Sequence, residues 1–178
     1  SLFPTVTDGS GLTVVVALFG LALGSFLSVV ICRLPQGWKF FFASAFSRCP
    51  SCRAVIDWYD NVPVLSFLIL RGRCRACGVR ISAQYPLVEL AMAMAAVLLF
   101  RRFGLSPCFF SHLCLTFVLL AVSVIDFQRL EIPDRLVGIG IVGGIGFSLV
   151  TPVPGWTSAM AGLVFGTTIP LILVTSYE

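Results

Sequence analysis

Long apolar runs separated by short polar joints set the pattern of this chain. Leu12–Cys32 carries no charge over a helix-length span, and a bilayer crossing needs about 20 such residues. Tyr85–Phe100 is a shorter run interrupted by Glu89, and Cys108–Ile125 is charge-free with His112 inside it. Leu136–Val150 and Ser158–Thr175 complete a set of about five. The fourth run, "GIGIVGGIGF", is rich in glycine, which predicts close helix packing there. The first run has no basic region before it, is too long for a signal core and leads into "CRLPQGWK". It is therefore expected to stay as a helix and not be cleaved as a signal peptide.

Composition strengthens this picture. Hydrophobic residues make up 58% of the chain and charged ones 11%, with mean hydropathy +1.01. Soluble domains carry about 25% charged residues, so a water-soluble globule is excluded as the expected class. The fold class expected is an all-α polytopic membrane protein with lipid as its surroundings. Eight of the 12 basic residues, Arg33 through Arg80, fall in the first long loop. The positive-inside tendency assigns that loop to the cytoplasm, with no nucleic-acid partner implied. Counting crossings from there returns the Asp126–Asp134 joint to the same face. Arg101 and Arg102 then fall outside, against the tendency.

The basic loop contains two CxxC pairs, Cys49/Cys52 and Cys74/Cys77, separated by 21 residues. Two such knuckles supply four thiolates for a tetrahedral Zn²⁺ site, and nearby arginines favour ionised thiols. Four protein ligands leave no open position, so the expected zinc is structural. Two local disulfides are the bland alternative, disfavoured in a reducing compartment. The intervening "DNVPVLSFLIL" is too short to cross a bilayer and reads as the body of a small zinc-ribbon-like domain resting on the membrane. Cys32, Cys108 and Cys114 lie in or beside apolar runs and read as small hydrophobes.

Three stretches occur in an order that carries a resemblance: "GSFLSVVICRLP", the cysteine loop running into "ISAQYPLVEL", and "IDFQRLEIPD". Together they resemble the type IV prepilin peptidases, bifunctional leader peptidases and N-methyltransferases of pilus and type II secretion systems. The resemblance implies a bacterial inner-membrane aspartyl endopeptidase that cuts the basic leader from prepilins or pseudopilins. It further implies methylation of the new amino terminus with S-adenosylmethionine as donor. Asp126 matches the family's first catalytic aspartate, ahead of the "IPD" turn. Peptide hydrolysis by carboxylates uses a pair sharing one proton, one acting as base towards water and the other as acid. On this basis residues 1–33 form the first transmembrane helix and 34–84 the cytoplasmic cysteine-rich domain. Residues 85–178 form helices of an incomplete peptidase core.

The chain also departs from the pattern. The second aspartate of the family belongs to a GxGD motif, which does not occur in these 178 residues. The sequence ends at "LVTSYE", about where the loop bearing that motif is expected. The alternative is a catalytically incomplete homologue, or a membrane scaffold or transporter subunit with a zinc-ribbon docking domain. Asp134 reads as a helix-capping or first-turn acid and Glu131 as a solvated loop residue. Glu89 either packs against a loop arginine or serves near a methyl-transfer site. His112 is placed on the outer half of its helix and given no role. No glycine-rich nucleotide loop is visible, so the donor-binding residues stay unassigned.

Overall fold

The computed structural model describes residues 10–34, 47–130 and 134–150, with scattered positions from 158 to 168. Among them the chain is helical, without strands. The elements are α1 (Ser10–Arg33), a 3₁₀ turn (Trp58–Asn61), α2 (Leu65–Ile69), α3 (Gln84–Phe103), α4 (Pro107–Arg129) and α5 (Asp134–Val150). Four of the five apolar runs are thus continuous helices. The described positions of the fifth, Ser158, Met160–Gly162, Val164, Phe165 and Thr168, are helical as well. The expectations for Glu131 and Pro133 lie outside the described residues.

Two helices, α1 and α4, are long and apolar enough to cross a membrane. Only 39% of the apolar window of α1 and 22% of that of α4 are buried. A core helix of a soluble protein would be mostly covered, so these bare faces need an apolar surrounding. Leu18, Phe19, Phe26, Leu115 and Leu119 are among the residues that project outward. Five spans are therefore more than the helices themselves establish. The run in α5 is short, and α3 carries Glu89, Arg101 and Arg102.

Helix ends follow local chemistry. Gly104, at φ 61°, ends α3 and donates its N–H to the Phe100 carbonyl at 2.8 Å. Ser106 then caps α4, its Oγ accepting from the Phe109 N–H at 3.3 Å, with Pro107 at the first helical position. Arg101 and Arg102 sit in the last turn of α3, where positive charge offsets the helix dipole. That position accounts for two arginines at the end where the charge count expects few.

The tightest packing joins α1 to α3. A Cβ placed on Gly20 would lie 2.6 Å from Ala93 Cα, and one on Gly24 would lie 2.5 Å from Glu89 Cα. Spaced four apart, these glycines form the small-residue stripe that lets two helix backbones touch. The glycine-rich α5, where close packing was expected, behaves differently. Gly138, Gly143, Gly144 and Gly146 face open space among the described residues, and Gly140 alone meets a side chain, Val118.

Two apolar cores flank the contact. Leu27, Val30 and Ile31 of α1 pack with Val88, Ala121, Ile125 and Leu136 near one end. Towards the other end Val16 packs with Met92, Ala96, Phe100, Phe109 and Leu113. Phe100 and Phe109 meet there edge to face, ring centres 6.4 Å apart.

Candidate functional site

The first of these ends gathers the chemistry. Cys32 near the end of α1 lies 3.5 Å from the Tyr85 hydroxyl at the start of α3. Gln128 near the end of α4 donates to Gln84 at 2.6 Å. The end of α1, the start of α3 and the end of α4 are therefore neighbours, with the cysteine module joined to them. His112 stacks on Phe103 at the opposite end, ring centres 4.6 Å apart.

The two CxxC turns are built alike. Cys49 donates its N–H to the Ala54 carbonyl at 3.0 Å, as Cys74 does to Val79 at 2.9 Å. Arg53 donates back to the Cys49 carbonyl and Gly78 to the Cys74 carbonyl, both at 2.9 Å. Single antiparallel bridges, Arg48 with Val55 and Arg73 with Arg80, close the two loops. This hydrogen bonding turns both cysteines of each pair inward. No strands extend from the bridges among the described residues, so the module is two knuckles joined by helical turns and not a ribbon of strands.

All four sulfurs lie within 4.8 Å of one another, and Cys49 Sγ is 3.8 Å from Cys77 Sγ. Tetrahedral Zn–S bonds of about 2.3 Å place sulfurs about 3.8 Å apart. The cluster therefore has the geometry to hold a metal ion. The Cys52 and Ser51 backbone N–H groups lower the Cys49 thiol to about 6, helped by the Cys74 and Cys52 sulfurs and opposed by burial. At Cys77 the Val79 N–H acts in the same direction. Burial and the three neighbouring sulfurs outweigh it and push that thiol up to about 11. One sulfur thus ionises more readily than another in the same cluster, because their hydrogen bonds and burial differ.

The segment between the knuckles is clamped onto the second one. Arg75 grips Asp60 with two hydrogen bonds, at 2.7 and 2.6 Å, and its guanidinium lies 5.7 Å from the Tyr59 ring centre. The guanidinium holds the Asp60 carboxyl below its ordinary range against the opposing effect of burial. Ser66 ties α2 back through the Tyr59 carbonyl at 2.9 Å.

Glu89 meets this module directly. Its side chain is 7% exposed, and its Oε2 accepts from the Val64 N–H at 2.7 Å. Val64 has φ 60°, an outlying conformation for a β-branched residue. The expected loop arginine is not Glu89's partner: among the described residues the ion pair found is Arg75–Asp60. Glu89 lines a cavity of about 700 Å³ between α1, α3 and the cysteine module. Ser25 and Ser28 of α1, together with Asp57, Asp60 and Arg75, also line it.

Asp126 is exposed, one turn before the end of α4, and its own carbonyl accepts from the Leu130 N–H at 2.7 Å. Asp134 is the first residue of α5, also exposed, where an acid complements the helix dipole. Sequence reasoning assigned Asp126 and the four cysteines but missed the cavity and the Gly20–Gly24 stripe. The Gly-x-x-x-Gly spacing was the available signal for the stripe.

Fold and site together define a helical protein with membrane-length apolar helices and a four-cysteine module at one end. Residues 18–103 match the Bacterial Peptidase A24 N-terminal domain, and residues 113–177 match the Type IV leader peptidase family. Relatives named prepilin leader peptidase/N-methyltransferase include those of three bacteria. That of Myxococcus xanthus is 38% identical over 149 residues, covering 84% of this chain and 44% of the relative. That of Aeromonas hydrophila is 36% identical over 173 residues, covering 85% and 60%. That of Klebsiella pneumoniae is 39% identical over 155 residues, covering 84% and 67%. The chain belongs to the type IV leader peptidase family. It spans about half to two thirds of the length of these relatives. No solved structure matches it.

Arg53 and Gly78 occupy equivalent left-handed positions, at φ 58° and 69°. A side chain there costs roughly 1–2 kcal/mol, while glycine loses some of that advantage to its unfolded-state freedom. Arg53→Gly should therefore raise stability by about 1 kcal/mol, read from thermal unfolding of the full-length protein in detergent. An unchanged or lower midpoint would show that the Arg53 side chain makes compensating contacts.

Proposed function

We propose that this chain is part of a membrane-embedded aspartic endopeptidase that removes the basic leader of prepilins or type II secretion pseudopilins. The same protein methylates the new amino terminus with S-adenosylmethionine. The observation that carries the reading is the placement of Asp126. An exposed acid closes a 23-residue apolar helix at the end of the bundle that also bears the cysteine module. The names of the relatives and the family match support the same activity.

In this reading five helices cross the bacterial inner membrane, and the cysteine module and Asp126 face the cytoplasm. The basic loop supports that orientation. Asp126 is one half of a proton-sharing pair whose other half the resemblance assigns to a GxGD motif. One carboxylate takes a proton from water as it attacks the scissile carbonyl, and the other protonates the leaving amine. Near the end of its helix, Asp126 can meet water without exposing the apolar core beneath it.

Cys49, Cys52, Cys74 and Cys77 would hold a structural Zn²⁺, whose role is to fix the module against α1 and α3. The cavity between α1, α3 and the cysteine module is the space the chain offers for donor and amine, with acidic and basic side chains of the module in its lining. The donor supplies an activated methyl group; the chain's part is to seat the amine and keep water out.

The direct test is prepilin processing in membranes by full-length enzyme. Asp126→Asn keeps the size of the side chain but cannot exchange the proton, so cleavage should be abolished. Asp134→Asn should cost about 1 kcal/mol of stability or less and leave cleavage measurable. Normal cleavage by Asp126→Asn would refute the assignment.

Metal analysis of purified protein should find about one zinc per chain, and Cys49→Ser should lose it together with local order. Protein without metal, in which Cys49 is bonded to Cys52 under reducing conditions, would overturn the zinc reading.

A further inference from the structure

Glu89 is the feature that the cleavage chemistry leaves unused. It is a carboxylate more than nine-tenths buried beside the apolar core of Leu27, Val30 and Val88. One oxygen holds the Val64 N–H. No cationic side chain pairs with it among the described residues. It belongs to no group of potential metal ligands there, since the four cysteines alone form one. A lone buried carboxylate is costly unless a positive partner arrives, and this one opens onto a cavity of about 700 Å³.

The cavity has two characters. Asp57, Asp60, Arg75 and Arg80 of the cysteine module line one part, and Ser25, Val29 and Glu89 line the part against α1 and α3. Glu89 lies five residues into α3, about 7.5 Å along the helix from its first residue. Glu89 is the acid that α1 and α3 contribute to this lining.

We infer that Glu89 seats the α-ammonium of the peptide to be methylated, and that the cavity between α1, α3 and the cysteine module is the amine site. This rests on the N-methyltransferase part of the proposed function. The carboxylate first attracts the ammonium as its counter-ion. It then accepts one proton: an N–H bond breaks, an O–H bond forms on Glu89, and the electron pair stays on nitrogen as the nucleophile. The Val64 N–H and the Ser25 side chain hold the carboxylate in place, and a remaining lone pair takes the proton.

The test uses full-length enzyme in detergent and a synthetic pre-cut pilin peptide, with its amino terminus either free or acetylated. Wild type should bind the free amine at least tenfold more tightly than the acetylated form. Glu89→Gln keeps an oxygen for the Val64 N–H, so its unfolding midpoint should stay close to wild type while the preference disappears. A merely structural Glu89 would move the midpoint or nothing, and Glu89→Gln would keep the preference; that result overturns the inference. Should Glu89→Gln fold poorly, Val29→Phe, which narrows the cavity and leaves the carboxylate with its Val64 and Ser25 partners, should also abolish the preference; retention there overturns the inference equally. Weaker binding of S-adenosylmethionine by Glu89→Gln with the amine preference intact would assign the carboxylate to the donor and refute the proposal. Wild type that cleaves and methylates prepilin yet binds both peptides equally refutes this inference alone. Wild type that does neither refutes the functional reading beneath it.

Discussion

Everything at the working end of this protein depends on two backbones touching where Gly20 and Gly24 of α1 meet Ala93 and Glu89 of α3. In lipid, helices gain little from hiding apolar side chains, since the surrounding tails are equally apolar. Close van der Waals contact must supply much of the association, and small residues permit it. The contact also fixes a carboxylate. Glu89 is held at the point of closest approach, so its position follows from the glycines and not from the flexibility of a long side chain.

Two further ties turn that contact into an organised end. The Glu89 bond to Val64 docks the cysteine module on the helices, and Gln128 to Gln84 brings the end of α4 alongside. Within the module the hydrogen bonds of the two knuckles and the Asp60–Arg75 clamp replace the apolar core that so short a segment cannot build. The four thiols gathered this closely have the geometry to hold a metal ion. The cavity lies between these rigid parts, and its walls come from the helices as well as the module. Asp126 and the cavity thus belong to the same end of the helices.

Much of this was legible in the sequence. Charge-free runs marked α1 and α4, and Glu89 stood out because an acid within an apolar run needs a reason. The CxxC spacing announced the four-cysteine cluster, and local grammar at Gly104, Ser106 and Pro107 marks a helix junction. What sequence reading mistook was partnership. The spacing of Gly20 and Gly24 in α1 carried the contact with α3, a signal that glycine frequency alone leaves out. A loop arginine was one of the two readings of Glu89, yet a backbone N–H took that place, and backbone groups leave no trace in residue identity. Within the cysteine module each knuckle closes on a single bridge, a detail that the CxxC spacing does not carry.

The central claim is that the α1–α3 contact, and not glycine content, sets the architecture of the site. Thermal unfolding of the full-length protein in detergent tests it with two alanine substitutions whose expected signs differ. Gly144→Ala, in open space among the described residues, should gain up to about 1 kcal/mol from better helix propensity. At Gly24 the same propensity gain is overridden, because the new methyl group would lie 2.5 Å from backbone that cannot move cheaply. Gly24→Ala should therefore lose about 1–3 kcal/mol. Equal or greater stability for Gly24→Ala would contradict the account.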